Sequence, residues 1–276
     1  MSELPAPATA SASGPPEPWP ERLAAAVGSV ERSRSLGGSV WRVAADGRDL
    51  VVKVGAGAQD EAEGLRSLSR VSGAPPVPGV VLTEPGLLVT EWVDQEPRSP
   101  GHEGELGRRL ASLHRAPWSE WGGGSSWVGA CPVSPAVFPD GASFYGARLL
   151  GLADRCGLVR SVSEVVDRLD LLLPSTPPAL VHGDLWWGNV LWGADGRPWL
   201  IDPSVHGGHP EEDLAMLGLF GPVPDGLLRA YREVRPLEAD WEERVDLFRL
   251  APVLVHAALF GGGYRGQAEA IIHRYT

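Results

Sequence analysis

Apolar positions along the chain first fall into a pattern at Trp19–Val27, where Leu23, Ala26 and Val27 share one face of a short helix. The period then changes to that of strands. Val40-Trp41-Arg42-Val43 and Leu50-Val51-Val52-Lys53-Val54 flank Asp46-Gly47, the signature of a β-hairpin. A helix is expected from about Asp60 to Val71, with Leu65 and Leu68 on its apolar side, and Pro75-Pro76-Val77-Pro78 breaks it. Val80-Val81-Leu82 and Leu87-Leu88-Val89-Thr90 predict a second hairpin, which the chain leaves through Glu91-Trp92-Val93. Helical spacing then takes over: Leu106, Leu110 and Leu113 mark one helix, and Val162, Val165, Val166 and Leu169 another. The 120–140 stretch, rich in Gly, Pro and Ser, reads as irregular. Val190-Leu191-Trp192 and Trp199-Leu200-Ile201 enclose Ala194-Asp195-Gly196 as a third hairpin. From Glu212 onward the pattern is helical, with a kink expected at Pro252.

These elements predict an α+β fold of two lobes: a small β-rich N-lobe over 17–93, a connector near 91–97, and a larger, mostly helical C-lobe over 94–276. Residues 1–16, dominated by Pro, Ala and Ser, read as a disordered tail.

The 276 residues, 43% of them apolar, suffice for a sizeable core. The 35 acidic residues outnumber 24 basic ones, for a net charge of −11, which argues against nucleic acid or an anionic membrane as the main partner. Cys131 and Cys156 are too few for a disulfide framework. No apolar run reaches membrane-spanning length and the N-terminus lacks the marks of a secretory signal, so the expected location is cytoplasmic.

The chemistry concentrates in His182-Gly183-Asp184-Leu185-Trp186-Trp187-Gly188-Asn189 and Trp199-Leu200-Ile201-Asp202-Pro203. Asn189 follows Asp184 by five residues, and Asp202 follows Asn189 by thirteen. That is the spacing a kinase uses to hold a hydroxyl nucleophile beside metal-bound ATP. A protein kinase reads His-Arg-Asp and Asp-Phe-Gly at these places; His-Gly-Asp and Asp-Pro-Ser point to a small-molecule acceptor. Asp184 is the candidate base for the acceptor hydroxyl. Asn189 and Asp202 offer oxygen ligands to Mg²⁺. Taken singly, each is equally a loop-capping or turn residue; as a set at this spacing they read as a catalytic centre.

Lys53, inside an apolar strand, is a candidate for the ATP phosphates, since an unpaired charge there is costly; on an edge strand it would instead face solvent. Its acidic partner is sought on the next helix, where Glu61 and Glu63 both qualify. Gly37-Gly38-Ser39, just before the Lys53 hairpin, can bring backbone N–H groups close to phosphate. Adenine is expected on the connector backbone at Glu91 and Val93. Asp213 enters an apolar helix, either as a first-turn acid favoured by the helix dipole or as a brace for the catalytic loop. Trp186 and Trp187, two of 11 tryptophans, lie between base and metal ligand and could stack on a sugar. Trp41, Trp192 and Leu200 read as core, His182 as a loop-holding residue, and His256 as a satisfied core histidine.

These residues resemble the fructosamine (ketosamine) kinases, within the aminoglycoside/choline-type phosphotransferases and the protein-kinase-like superfamily. His-Gly-Asp-Leu-Trp-x-Gly-Asn at 182–189 is similar to their loop. Ile201-Asp202-Pro203, Gly208-His209, Glu211-x-Asp213-Leu-Ala-Met216 and Leu219-Phe220-Gly221 follow their pattern, as does Leu110-Ala111-x-Leu113-His114-Arg115. The likeness covers about residues 18–276. It implies ATP- and Mg²⁺-dependent phosphorylation of a small-molecule or protein-bound ketoamine, at the 3-hydroxyl of a fructosamine or ribulosamine, in the service of deglycation. It implies Asp184 as base, Asn189 and Asp202 as metal ligands, Lys53 on phosphate and Glu61 as its partner. Two departures stand out: the Gly-rich segment is short, and Trp187 occupies a place where a small residue is usual. The alternatives are a kinase of aminoglycosides or another small hydroxylated amine, and an inactive nucleotide-binding scaffold. Retention of Lys53, Asp184, Asn189 and Asp202 argues against the scaffold.

Overall fold

A computed structural model describes residues 19–276; the expected disordered tail lies outside them. The chain divides into two compact units. The first holds the described residues through Gln59 together with Val80–Trp92, and the second holds Asp60–Gly79 and Val93–Thr276.

In the first unit, helix α1 (Trp19–Val27) precedes strands β1 (Val30–Gly37), β2 (Val40–Ala45) and β3 (Arg48–Val54). Helix α2 (Ala58–Ser69) follows, and lies with the second unit from Asp60 on. Strands β4 (Val80–Glu84) and β5 (Leu87–Glu91) complete an antiparallel sheet in the order β1-β2-β3-β5-β4. Its core is the face carrying Trp41, Val43, Leu50, Val52, Leu87 and Val89, covered by Trp19, Leu23 and Val27 of α1. The hairpin read at Asp46-Gly47 pairs Val43 with Leu50 and Val40 with Lys53. Strand β1 was not foreseen. Every residue after Val30 in it is exposed, so it has no inward-facing apolar set to reveal it. Backbone pairing along β2 makes it a strand, and its exposed charges suit an unprotected edge.

The second unit continues with α3 (Pro100–Leu113) and four two-residue strands through the 120–140 stretch: β6 (Trp121–Gly122), β7 (Trp127–Val128), β8 (Cys131–Pro132) and β9 (Val137–Phe138). Helices α4 (Gly141–Cys156), α5 (Val159–Val166) and α6 (Leu169–Leu172) follow, then β10 (Ala179–Val181), a 3₁₀ turn (Trp187–Asn189), β11 (Val190–Trp192), β12 (Pro198–Leu200) and β13 (His206–Gly208). Four helices close the chain: α7 (Pro210–Leu217), α8 (Asp225–Val234), α9 (Trp241–Phe260) and α10 (Gly263–Tyr275). The main core joins α4, α5, α9 and α10 through Tyr145, Leu149, Val162, Phe248, Leu254 and Ile272.

Two expectations are corrected here, and one helix is added. Helix α4, not foreseen, starts at Asp140, whose side chain accepts from Ser143 N at 2.7 Å, and ends at Gly157 in the left-handed conformation. The helix expected over Val162–Leu169 stops at Val166, and Leu169 opens the separate α6. His256 is half-buried rather than core, with Nδ1 2.7 Å from the Pro252 carbonyl oxygen; α9 runs through Pro252. Among the described residues, no helix is long and apolar enough to cross a membrane.

Candidate active site

Strand β10 delivers the chain to His182 through Val181, fully buried and paired with His206 of β13. Gly183 then turns with φ 79°, and a side chain there would collide with the Ser204 carbonyl oxygen and crowd His206. Only glycine suits both the backbone and the space. This sharp passage presents Asp184 half-buried, above a cavity of about 30 Å³ that it lines with Arg148, Asp213 and Phe248.

Side chains from distant elements fix the loop. Asp213, buried on α7, accepts from His182 N at 2.7 Å and from Gly183 N at 2.9 Å. Its Oδ2 also lies 3.0 Å from Nε2 of His114, whose Nδ1 is 2.8 Å from the Tyr231 hydroxyl. His182 Nδ1 accepts from Asp184 N at 3.3 Å, so its proton sits on Nε2, which donates to Ile201 O at 3.0 Å. The imidazole therefore ties the loop before Asp184 to the strand end before Asp202. Burial lowers the His182 pKa, which keeps the ring in this neutral form. Asp213 lies in the first turn of α7, whose cap is His209, and its carboxylate accepts from the loop backbone.

Asn189 and Asp202 flank the base of the β11–β12 hairpin, where Ile201 N donates to Asn189 O at 3.1 Å. Asn189 Nδ2 donates to the Asp184 carbonyl at 2.7 Å, which commits the nitrogen and leaves Oδ1 as the amide atom that could face a cation. Asp202 has φ 56°, a left-handed conformation that Asp tolerates better than most residues. Among the described residues, no three His, Cys, Asp or Glu side chains gather to hold a metal alone. One amide and one carboxylate still fit Mg²⁺, which takes few protein oxygens and completes its shell with water and phosphate. Burial first, then the Asp202 charge, pushes the Asp184 pKa up to about 7, against the pull of Arg148.

The two tryptophans part company. Trp186, 39% exposed, stands edge-on to Phe220 at 5.9 Å, and Phe220 in turn to His256 at 5.5 Å. Trp187 lies in another neighbourhood, under the Arg98 guanidinium at 4.6 Å and 6.4 Å from Trp192. Trp192, expected in the core, is half-buried and stacks on His102 at 5.3 Å; Trp41 and Leu200 are core.

In the first unit, Lys53 lies on β3, which has neighbours on both sides and is not an edge. Lys53 sits on the face opposite Leu50 and Val52. Gly38 and Ser39 make the β1–β2 turn after Gly37, and Ser39 O accepts from Val54 N at 3.0 Å, so this turn adjoins the Lys53 end of β3. Glu91 closes β5 opposite Leu50; Val93 is buried and belongs to the second unit. Glu61 is half-buried in the first turn of α2, whereas Glu63 is 60% exposed beside Arg66 and Arg70.

Sequence reasoning missed the neighbours of Asp213. Three consecutive buried acids open α7, each with its own partner. Glu211 makes a bidentate pair with Arg244 of α9 at 2.7 and 2.8 Å. Glu212 meets His206 Nε2 at 3.1 Å and caps the helix by accepting from His209 N at 2.8 Å. The readable signal was three acids in one turn of an otherwise apolar helix, where the dipole alone does not demand burial.

A sequence profile described as fructosamine kinase matches residues 31–276. The protein-ribulosamine 3-kinase of Arabidopsis thaliana is 31% identical over 215 residues, covering 71% of this chain and 64% of the plant protein, just under two thirds of its length. A crystal structure from Thermobifida fusca, assigned as a fructosamine-3-kinase, superposes with a TM-score of 0.84 at 37% identity, covering 93% of this chain and 97% of the other. The choline kinase of Streptococcus pneumoniae, at 14% identity and a TM-score of 0.61 over 92% of this chain and 96% of its own, shares the fold. With the profile spanning the sheet, the Asp184 loop and the closing helices, the chain belongs to the fructosamine kinase family.

Proposed function

We propose that this protein phosphorylates a ketoamine sugar from ATP, at the 3-hydroxyl of a fructosamine or ribulosamine, and so serves deglycation in the cytoplasm. The observation that carries the reading is the Asp184 loop: a backbone held by Asp213 and His182 presents one carboxylate beside an Asn/Asp pair flanking one hairpin. Phosphoryl transfer asks of protein mainly alignment and charge placement. Asp184 orients the acceptor hydroxyl and takes its proton. Asn189 and Asp202 hold Mg²⁺, which when bound with ATP supplies charge neutralisation at the transferred group. Lys53 is assigned to the phosphates, with the backbone of Gly37, Gly38 and Ser39; the Glu91 and Val93 backbone is assigned to adenine. The exposed Trp186 ring, propped by Phe220, offers a platform for the sugar. Trp187, stacked under Arg98, is assigned to shaping the acceptor side of the loop, as the resemblance implies.

The test is ATP consumption with Mg²⁺ across fructosamines, ribulosamines, free sugars and aminoglycosides. Turnover of ketoamines is expected. Turnover of aminoglycosides alone would overturn the reading.

A further inference from the structure

A cavity of about 350 Å³ opens in the second unit between the β8–β9 segment and helix α4. One face of α4 makes its wall: Phe144, Ala147, Arg148, Gly151, Leu152 and Arg155 recur at helical spacing along it. Small residues sit mid-face, and a Cβ on Gly151 would meet nothing within 4 Å, so the space is open where a longer side chain would fill it. In a chain of net charge −11, this cavity is lined by two arginines and no carboxylate. Among the described residues, neither arginine forms an ion pair; Arg148 lies over the Phe144 ring at 6.0 Å. Arg148 and Leu152 also line the small cavity beside Asp184, so the two cavities share a wall.

We propose that this cavity receives the amine carrier of the acceptor and that Arg148 and Arg155 select a carrier ending in an anion, a carboxylate or a phosphate. The apolar wall from Phe138, Phe144 and Leu152 suits the carbon chain between the ketose and that anion. Guanidinium groups match both anions through paired N–H donors. The inference rests on the ketoamine reading above and narrows its substrate to small anionic ketoamines such as a glycated free amino acid.

The test compares kcat/KM for three matched ketoamines of one sugar: the glycine adduct, its neutral glycinamide, and the adduct of phosphoethanolamine. The wild type is expected to favour an anionic form over the amide by about tenfold at low salt, chiefly through KM, the size of one charge-assisted contact. The larger of the two anionic preferences identifies the source. Arg155→Gln and Gly151→Leu are each expected to bring that ratio close to one, with Arg155→Lys retaining part of it. Gly151 is exposed on its helix, so leucine there does not threaten folding. A wild-type ratio near one, or a ratio unmoved by both Arg155→Gln and Gly151→Leu, overturns this inference alone. Turnover of no ketoamine overturns the preceding reading and this one with it.

Discussion

Asp184 shows what the site asks of a single residue. Its carboxyl is poorly solvated and faces Asp202 and Asp213, so the charge that suits a base is unwelcome in the empty fold. The folded pKa, about 7, lies above the unfolded value of 3.8, so stability falls as pH rises through that window and the cost is complete above it. Asp184→Asn removes it. Without nucleotide and metal at pH 8 the variant is expected to be more stable, on the order of 2 kcal/mol after allowing for solvent screening of a half-buried group. Calorimetric melting at pH 8 and pH 4 checks this, with the gain confined to the higher pH. Turnover should be lost while ATP binding persists; near-normal turnover would remove Asp184 from the base role. Spacing alone made Asp184, Asn189 and Asp202 readable together. It could not show that Asn189 spends its nitrogen on the Asp184 carbonyl, or that Trp186 and Trp187, adjacent in sequence, join different aromatic groups.

Among the elements, α7 carries most of the scaffolding, with Glu211, Glu212 and Asp213 directed to α9, β13 and the loop after β10. Arg244→Ala leaves Glu211 buried without its cation and is expected to cost about 3–5 kcal/mol, read from the urea midpoint. Replacing both partners, Arg244→Met with Glu211→Leu, should recover most of that loss; equal destabilisation by single and double changes would mean the pair is not the unit that matters. None of these partners could be read locally, because Arg244 lies 33 residues from Glu211 and His114 lies 99 from Asp213. Elements with an inward apolar set were legible: α1, the β2–β3 hairpin and the β11–β12 hairpin fall where periodicity put them. Strand β1 and the start of α4 were not, because pairing and a cap, rather than apolar spacing, define them.

For the molecule as a whole, the response to acid sums these local arrangements. His209 is held near pKa 4, below its usual 6.5, by burial, and His182 is lowered for the same reason. Stability from both is complete above pH 6.5 and is lost as pH falls toward the folded values, because the unfolded chain takes up the protons first. Glu212 and Asp213, lowered by their histidine partners against burial, add a further loss below about pH 4.5. Asp184 works in the opposite sense between pH 7 and 4. The melting temperature is therefore expected to fall between pH 7 and pH 4, more steeply in Asp184→Asn than in the parent. A flat profile in Asp184→Asn, where that offset is gone, would show that the fold does not hold His209 and His182 below their usual pKa. Overall composition gave the charge of −11 but none of this, since it does not report which few groups are buried.

Gly183 has one more consequence. The Ser204 carbonyl and the His206 ring occupy the space where a side chain would emerge, so the loop has no position for an arginine before Asp184. In protein kinases that arginine belongs to the His-Arg-Asp loop, and new arginine–phosphate contacts order the activation segment after phosphorylation. Here the same place is closed by backbone. The loop is held instead by Asp213 and His182, contacts made as the chain folds. A loop closed in this way offers no arginine before Asp184 for an activating phosphate to engage.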